Sequence, residues 1–184
     1  MTRAAFLDLN GTLVMPVQAA HPHEYTVLPM AMEAVRVLNR AGFTCPIVTV
    51  QSRIGKGLYS IPDFLSWFSR FRSDLSAEGA AVEGPYLCPH WREDRCACKK
   101  PQTLLYREAA HHLGANMANS VVIGDDISDV LAARHLGCVG YLVPTGWGEK
   151  SIRERAADLA AHHVAADVLE AAQWVVSGIL GGSR

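Results

Sequence analysis

The apolar and polar positions of the chain sort into short apolar runs separated by segments of helical period. Residues 4–7 are a short apolar run that predicts a buried strand, ended by the breaker Gly11. Residues 15–28, carrying Pro16 and Pro22 and followed by Pro29, read as a loop. Met30, Ala34, Val37, Leu38 and Ala41 then recur at the spacing of one helix face, closed by Gly42. Residues 43–50 are a β-branched run and predict the second strand, and residues 51–57, with two glycines, a loop. Pro62 suits the first turn of a helix that turns Phe64, Phe68, Phe71 and Leu75 inward. A third strand falls near Tyr86, and Pro101 opens a helix with Leu105, Ala109 and Leu113 inward, stopped by Gly114. Residues 121–123 give the fourth strand, residues 126–136 a helix ended by Gly137, and residues 138–143 the fifth strand. Ser151 with Glu154, and Asp167 with Glu170, have capping-box spacing. Strands alternating with helices predict an α/β fold: a Rossmann-like three-layer sandwich on a central parallel sheet, one domain over residues 1–184, with no separate cap domain.

Composition narrows the classes. With 49% hydrophobic residues and a net charge of −1, nothing favours nucleic acid or an anionic membrane as a partner. No apolar run reaches the roughly 18 residues of a membrane helix. Asp8 interrupts the only N-terminal apolar stretch too early for a signal peptide, so the expectation is a cytoplasmic protein, monomeric or weakly dimeric. The apolar residues 175–180 dock either on the domain or in a dimer. Of five cysteines, Cys45 and Cys138 sit in strand-like surroundings as inert thiols. Cys88, Cys96 and Cys98 cluster in a loop, which in a reducing compartment points to metal before disulfide.

Four segments carry candidate chemistry, each at a strand end or helix start. Asp8 ends the first strand and is a candidate nucleophile or metal ligand; position 10 lies on the same strand face. Thr49 ends the second strand, where its hydroxyl and nearby loop amides can hold a phosphoryl oxygen. Lys99 and Lys100 precede Pro101, where a lysine can neutralise a phosphate. Asp125 follows the fourth strand and Asp129 lies a helical turn beyond; with Asp8 they can converge on one hard cation such as Mg²⁺. Each has a bland reading as a cap or surface charge, and their order along one chain outweighs it.

This order resembles the haloacid dehalogenase superfamily of phosphotransferases, over nearly the whole chain to Gly148. The resemblance implies a phosphatase in which Asp8 attacks phosphorus, Thr49 binds the phosphoryl group and Lys100 stabilises the intermediate. It implies Mg²⁺ held by Asp8, Asp125 and the backbone carbonyl of Asn10, with Asp129 a supporting acid. Cys88-Pro89-His90 followed by Cys96-Ala97-Cys98 resembles the zinc loop of the D-glycero-D-manno-heptose 1,7-bisphosphate phosphatase and histidinol-phosphate phosphatase subfamily. Three thiolates and an imidazole within residues 88–98 can close a tetrahedral Cys3His site for Zn²⁺. Residues 51–57 look like the substrate loop, with Gly11, Thr12, Gln51, Ser52 and Lys99 beside a small phosphorylated substrate; Val50 and Arg53 depart from the usual Asn and Gly. Thr145-Gly146-Trp147-Gly148 resembles the Thr-Gly-x-Gly near the end of the fold. Trp91, Arg92, Arg95 and Lys99 read as a solvated loop face before a substrate contact, and His111-His112 and His162-His163 as helix surface.

Position 10 is the departure. Phosphatases of this superfamily carry Asp there as general acid and base, and this chain has Asn10. An amide keeps the shape and can hydrogen-bond, but cannot shuttle a proton, and losing a positioned acid or base typically costs about 10²- to 10⁴-fold. Three readings stay open: a slow phosphatase or one whose leaving group needs no acid, a phosphate-binding pseudoenzyme with a regulatory or partner-binding role, and an Asp→Asn replacement made to hold substrate.

Overall fold

In the computed structural model, which describes residues 2–147, 150 and 163–178, the first apolar run is strand β1 (Arg3–Leu7), completely inside the protein from Ala4 on. Beyond it β2 (Val14–Met15) and β3 (Thr26–Val27) pair antiparallel. Residues 15–28 are therefore not a plain loop: the hairpin encloses a 3-10 turn at Pro22–Glu24. The main sheet adds β4 (Phe43–Thr44), β5 (Pro46–Val50), β6 (Glu83–Cys88), β7 (Val121–Gly124), β8 (Val139–Leu142) and β9 (His163–Val164). Its order is β6-β5-β1-β7-β8-β9, with β4 also on β1, and every pairing is parallel. The chain builds outward on one side of β1, then returns to build on the other. The carboxyl ends of β1 and β7 therefore flank a topological switch point, where open α/β sheets hold their ligands.

The helices are α1 (Ala31–Arg40), α2 (Ser52–Gly55), α3 (Ile61–Ala77), α4 (Leu104–Leu113), α5 (Ile127–Leu136) and α6 (Val168–Ser177). Alternation along β1 divides them into layers. Ala5 and Leu7 face a core shared with α1, α3 and α6, while Ala4 and Phe6 face one shared with α4 and α5. On α3 the buried side is Phe64, Phe68, Phe71 and Leu75, as the spacing predicts, joined by Trp67, which stacks on Phe71 at 5.2 Å. Its start is fixed by Ser60 and Asp63, each accepting the other's backbone N–H, at 2.9 and 3.2 Å. The inward face of α1 is Ala31, Ala34, Val35 and Leu38, rotated slightly from the predicted stripe, so that Met30 is exposed. Helix α6 lies against α1, and Trp174 and Val175 pack on that core.

The structure revises several boundaries. Residues 43–50 are two strands rather than one, because Pro46 has no N–H for the ladder. Residues 51–57 are not wholly loop: α2 occupies four of them. Pro101 does not open a helix. The residue before a proline is steered away from helical geometry, Lys100 turns inward, and α4 starts only at Leu104. Glu170 reaches back to the Ala166 amide at 2.5 Å while Asp167 caps Glu170 at 2.8 Å, so the second capping box is offset by one residue. The box at Ser151 and Glu154 lies outside the described residues, as does His162. His111 and His112 are exposed on α4, but His163 is on β9, a strand rather than a helix surface.

Candidate active site

Two strand ends, the first turn of a helix and one further turn bring the acidic and basic groups together. Asp8 follows β1, Asp125 follows β7, and Asp129 sits in the first turn of α5. One carboxylate oxygen from each lies within 4.8 Å of the others, and all three residues are buried. Into this cluster the turn before α4 delivers Lys100, whose Nζ lies 2.6 Å from Asp8 Oδ1 and 2.6 Å from Asp129 Oδ1. Tyr106, in the first turn of α4 and buried, donates its hydroxyl to the same Asp129 oxygen at 3.2 Å. The Thr12 hydroxyl donates to Asp8 Oδ2 at 3.4 Å. Asp125 Oδ2 accepts the Trp147 backbone N–H at 2.7 Å, which ties the 145–147 loop to the end of β7.

Glycine is required where the backbone closes on these carboxylates. A Cβ on Gly11, at φ +90°, or on Gly146, at φ +55°, would come within 2.1 Å of Asp125 Oδ2.

The electrostatics follow from burial and crowding. Burial, then the nearby Asp8 charge, pushes the Asp125 carboxyl up to about 9. Burial also pushes Asp129 up to about 7, although Lys100 pulls it back. For Lys100 burial disfavours the charged form, yet Asp129 and Asp8 outweigh it and hold its pKa well above the ordinary lysine value. Lys100 pairs with Asp8 and Asp129 but not with Asp125. Hard carboxylate oxygens crowded into a buried site, one of them without a cationic partner among the described residues, are a donor set suited to Mg²⁺.

Around position 10 the polar groups interlock. Asn10 Oδ1 accepts from Gln51 Nε2 at 2.6 Å and from the Thr49 hydroxyl at 3.4 Å, while its Nδ2 donates to the Val17 carbonyl at 3.3 Å. Gln51 Nε2 also reaches Thr49 at 2.9 Å, and its Oε1 accepts from the Tyr25 hydroxyl at 3.1 Å and the Tyr59 hydroxyl at 2.8 Å. Ser52 opens α2 and Lys99 is half-buried; neither side chain hydrogen-bonds to the carboxylate cluster.

The cysteine loop closes beside this region. Cys88, His90, Cys96 and Cys98 offer ligand atoms within 4.8 Å of one another. Cys88 Sγ lies 3.6 Å from Cys96 Sγ and 3.7 Å from His90 Nδ1, and His90 Nδ1 lies 3.2 Å from Cys98 Sγ. Tetrahedral zinc with Zn–S near 2.3 Å has S···S edges of about 3.7 Å, so the residues fit that ion. Helix α2 docks on the loop through Gly55, where a Cβ would meet the Trp91 backbone N at 2.5 Å. Lys56 lies over the Trp91 ring, 3.5 Å from its centroid. Arg95 is exposed, with a left-handed φ of 46°.

Sequence reasoning missed Tyr25, Tyr59 and Tyr106, and the Trp147 amide. None of the tyrosines stands in a short motif; each reaches the site from a separate element. Only the glycines flanking Trp147 signalled a close backbone approach there.

Comparisons with known proteins agree with this geometry. The HAD-hydrolase-like family model matches residues 97–171. The D-glycero-beta-D-manno-heptose-1,7-bisphosphate 7-phosphatase of Bordetella bronchiseptica is 32% identical over 150 residues, 80% of this chain and 84% of that protein. The D-glycero-D-manno-heptose-1,7-bisphosphate 7-phosphatase of Thermosynechococcus vestitus is 31% identical over 186 residues, 94% of each chain. The crystal structure of D,D-heptose 1,7-bisphosphate phosphatase from B. bronchiseptica, complexed with magnesium and phosphate, superposes with a TM-score of 0.88 at 27% identity, covering 96% of this chain and 99% of that one.

Proposed function

The chain belongs to the HAD-like phosphatases, in the family of the heptose-1,7-bisphosphate 7-phosphatases, and from that membership we propose a specific reaction. It removes phosphate from a small phosphorylated metabolite, a sugar bisphosphate such as heptose 1,7-bisphosphate first and histidinol phosphate next, through an aspartyl-phosphate on Asp8. The observation that carries this is Asp8 at the switch point, with the Lys100 ammonium 2.6 Å from one of its oxygens and Asp125 beside it.

Asp8 attacks phosphorus in line with the departing oxygen. Lys100, held against Asp8 by Asp129, offsets the charge on the transferring phosphoryl group in a water-poor site, where such offset is strongest. The Thr49 hydroxyl, oriented by Gln51, and the backbone around Gly11 and Thr12 receive the phosphoryl oxygens. Ser52 and Lys99 contact the remainder of the substrate. Asp8, Asp125 and the Asn10 carbonyl hold Mg²⁺, which when bound supplies positive charge to the phosphoryl oxygens. Cys88, His90, Cys96 and Cys98 hold a structural Zn²⁺ that pins the loop leading to Lys99 and Lys100. Asn10 occupies the place of the acid and base without a proton to move, which lowers turnover of alkyl phosphates by about 10²- to 10⁴-fold.

The test is Mg²⁺-dependent phosphate release from heptose 1,7-bisphosphate and histidinol phosphate, with Asp8→Asn as control. Release that survives Asp8→Asn would refute the role of Asp8. A second reading, favoured by Asn10 itself, is a phosphate-binding protein without turnover. It predicts tight phosphate binding and no release from any ester, even after Asn10→Asp.

A further inference from the structure

Every hydrogen-bonding group around position 10 is committed, and the commitments fix one another. The Val17 carbonyl can only accept, so Asn10 turns its Nδ2 to it and its Oδ1 to Gln51. Gln51 then donates from Nε2 to Asn10 and Thr49, and its Oε1 accepts the Tyr25 and Tyr59 hydroxyls. Turning the Asn10 amide over would set N–H against N–H at Gln51 and oxygen against oxygen at Val17. Asn10 therefore stands as a neutral group with both its polar atoms engaged in the protein. The other donors around Asp8 are engaged as well. Thr12 donates to Asp8, Lys100 bridges Asp8 and Asp129, and Tyr106 donates to Asp129. Among the described residues of this cluster the remaining acid, Asp125, is one of the carboxylates that would hold Mg²⁺, so no uncommitted donor is left for an oxygen leaving phosphorus.

We propose that this site discriminates by leaving group: a phosphate whose leaving oxygen departs as a stabilised anion, an acyl phosphate or one on an anomeric carbon, is cleaved faster than one on a primary carbinol, the class of histidinol phosphate, which it cleaves slowly. The inference rests on the aspartyl-phosphate reading above and names its substrate class. In the first half-reaction a bond forms from an Asp8 carboxylate oxygen to phosphorus. The bond from phosphorus to the leaving oxygen breaks, and its electron pair stays on that oxygen, which takes a proton from solvent after release. In the second half-reaction water oxygen bonds to phosphorus and the bond to Asp8 breaks. The pair returns to the carboxylate, and a proton of the water ends on the phosphate product. The aspartyl-phosphate is itself an acyl phosphate, so its breakdown needs no acid either. Position 10 offers no base to the attacking water either, which slows the second half equally for every substrate; only the first half, which kcat/KM reads, discriminates among leaving groups.

The experiment measures kcat/KM with Mg²⁺ for acetyl phosphate, glucose 1-phosphate and glucose 6-phosphate, on the full chain and on Asn10→Asp. The 6-phosphate is expected to lag the other two, and Asn10→Asp to raise the ratio of 6-phosphate to acetyl phosphate turnover by about 10²- to 10⁴-fold. The unsubstituted chain is also read on a series of substituted phenyl phosphates, where rates should rise steeply with the acidity of the phenol. A flat series, or an unchanged ratio in Asn10→Asp, overturns the leaving-group proposal and leaves the phosphatase reading standing. No phosphate release from any of these compounds by either protein overturns both.

Discussion

Replacing Lys100 by Met tests whether the buried charge cluster is held together as the structure implies. Lys100 is buried, and its ammonium lies 2.6 Å from both Asp8 and Asp129. At an effective dielectric near 20, each pair is worth about 6 kcal/mol of Coulomb attraction, much of it offset by the cost of taking the charges out of water. Removing one partner does not recover that cost. It strands the other charges, and breaking a buried pair typically costs about 3–5 kcal/mol. In a chain of this size that corresponds to a fall in melting temperature of roughly 6–20 °C.

The loss should depend on pH. Without the ammonium, burial keeps a proton on Asp129 in the folded state at pH values where the unfolded chain has released it. Folded protein then binds more protons than unfolded, and stability falls as pH rises. The assay is urea unfolding in EDTA at pH 5 and pH 8, comparing Lys100→Met with the unsubstituted chain. The deficit should be larger at pH 8, and Asp129→Asn added to Lys100→Met should recover part of it by removing one stranded carboxylate. Equal stability at pH 8, or no recovery in the double variant, would show that the lysine does not neutralise these carboxylates.

Other consequences are open to direct measurement. In metal-free protein the raised Asp125 carboxyl, near 9 against an ordinary 3.8, makes stability decline with rising pH across that interval, so Mg²⁺ should raise the melting temperature more at pH 8.5 than at pH 6. A shift of equal size at both values would contradict the burial and crowding assigned to Asp125. Elemental analysis of protein purified without added metal should find one zinc per chain, and Cys96→Ser should lower that content and loosen the loop to proteolysis. Gly11→Ala, which forces a Cβ to within 2.1 Å of Asp125 Oδ2, should cost at least about 10²-fold in phosphate release while leaving the circular dichroism spectrum unchanged. Phe64→Ala on α3, whose side chain is fully buried in the aromatic cluster, should lose about 3–5 kcal/mol in urea unfolding.

Much of the site was legible in the sequence because its parts are local. Asp8, Thr49, Asp125 and the Cys88 loop each announce themselves within a few residues, as an apolar run ending in a polar group or as ligand spacing. The layer to which each residue of β1 belongs follows from alternation alone, and the inward face of α3 from its aromatic period. Those features are properties of short segments, in which backbone geometry dictates which side chains share a face.

Only the tertiary structure could decide which distant groups meet. Nothing local in residues 15–28 shows that Tyr25 joins Tyr59 on the amide of Gln51, or that Val17 receives Asn10. Nothing local in α4 marks Tyr106 as the partner of Asp129, since a tyrosine on an inward helix face reads as core. The inward turn of Lys100 likewise depends on the carboxylates of Asp8 and Asp129 that it meets. Sequence by itself determined the fold class and the inventory of reactive groups, because periodicity and spacing are written into neighbouring residues. The pairing of those groups, and with it the locked amide at position 10, came from the packing of segments remote in the chain. Hydrogen-bond partners and buried charges are chosen there by proximity in space rather than by order in sequence.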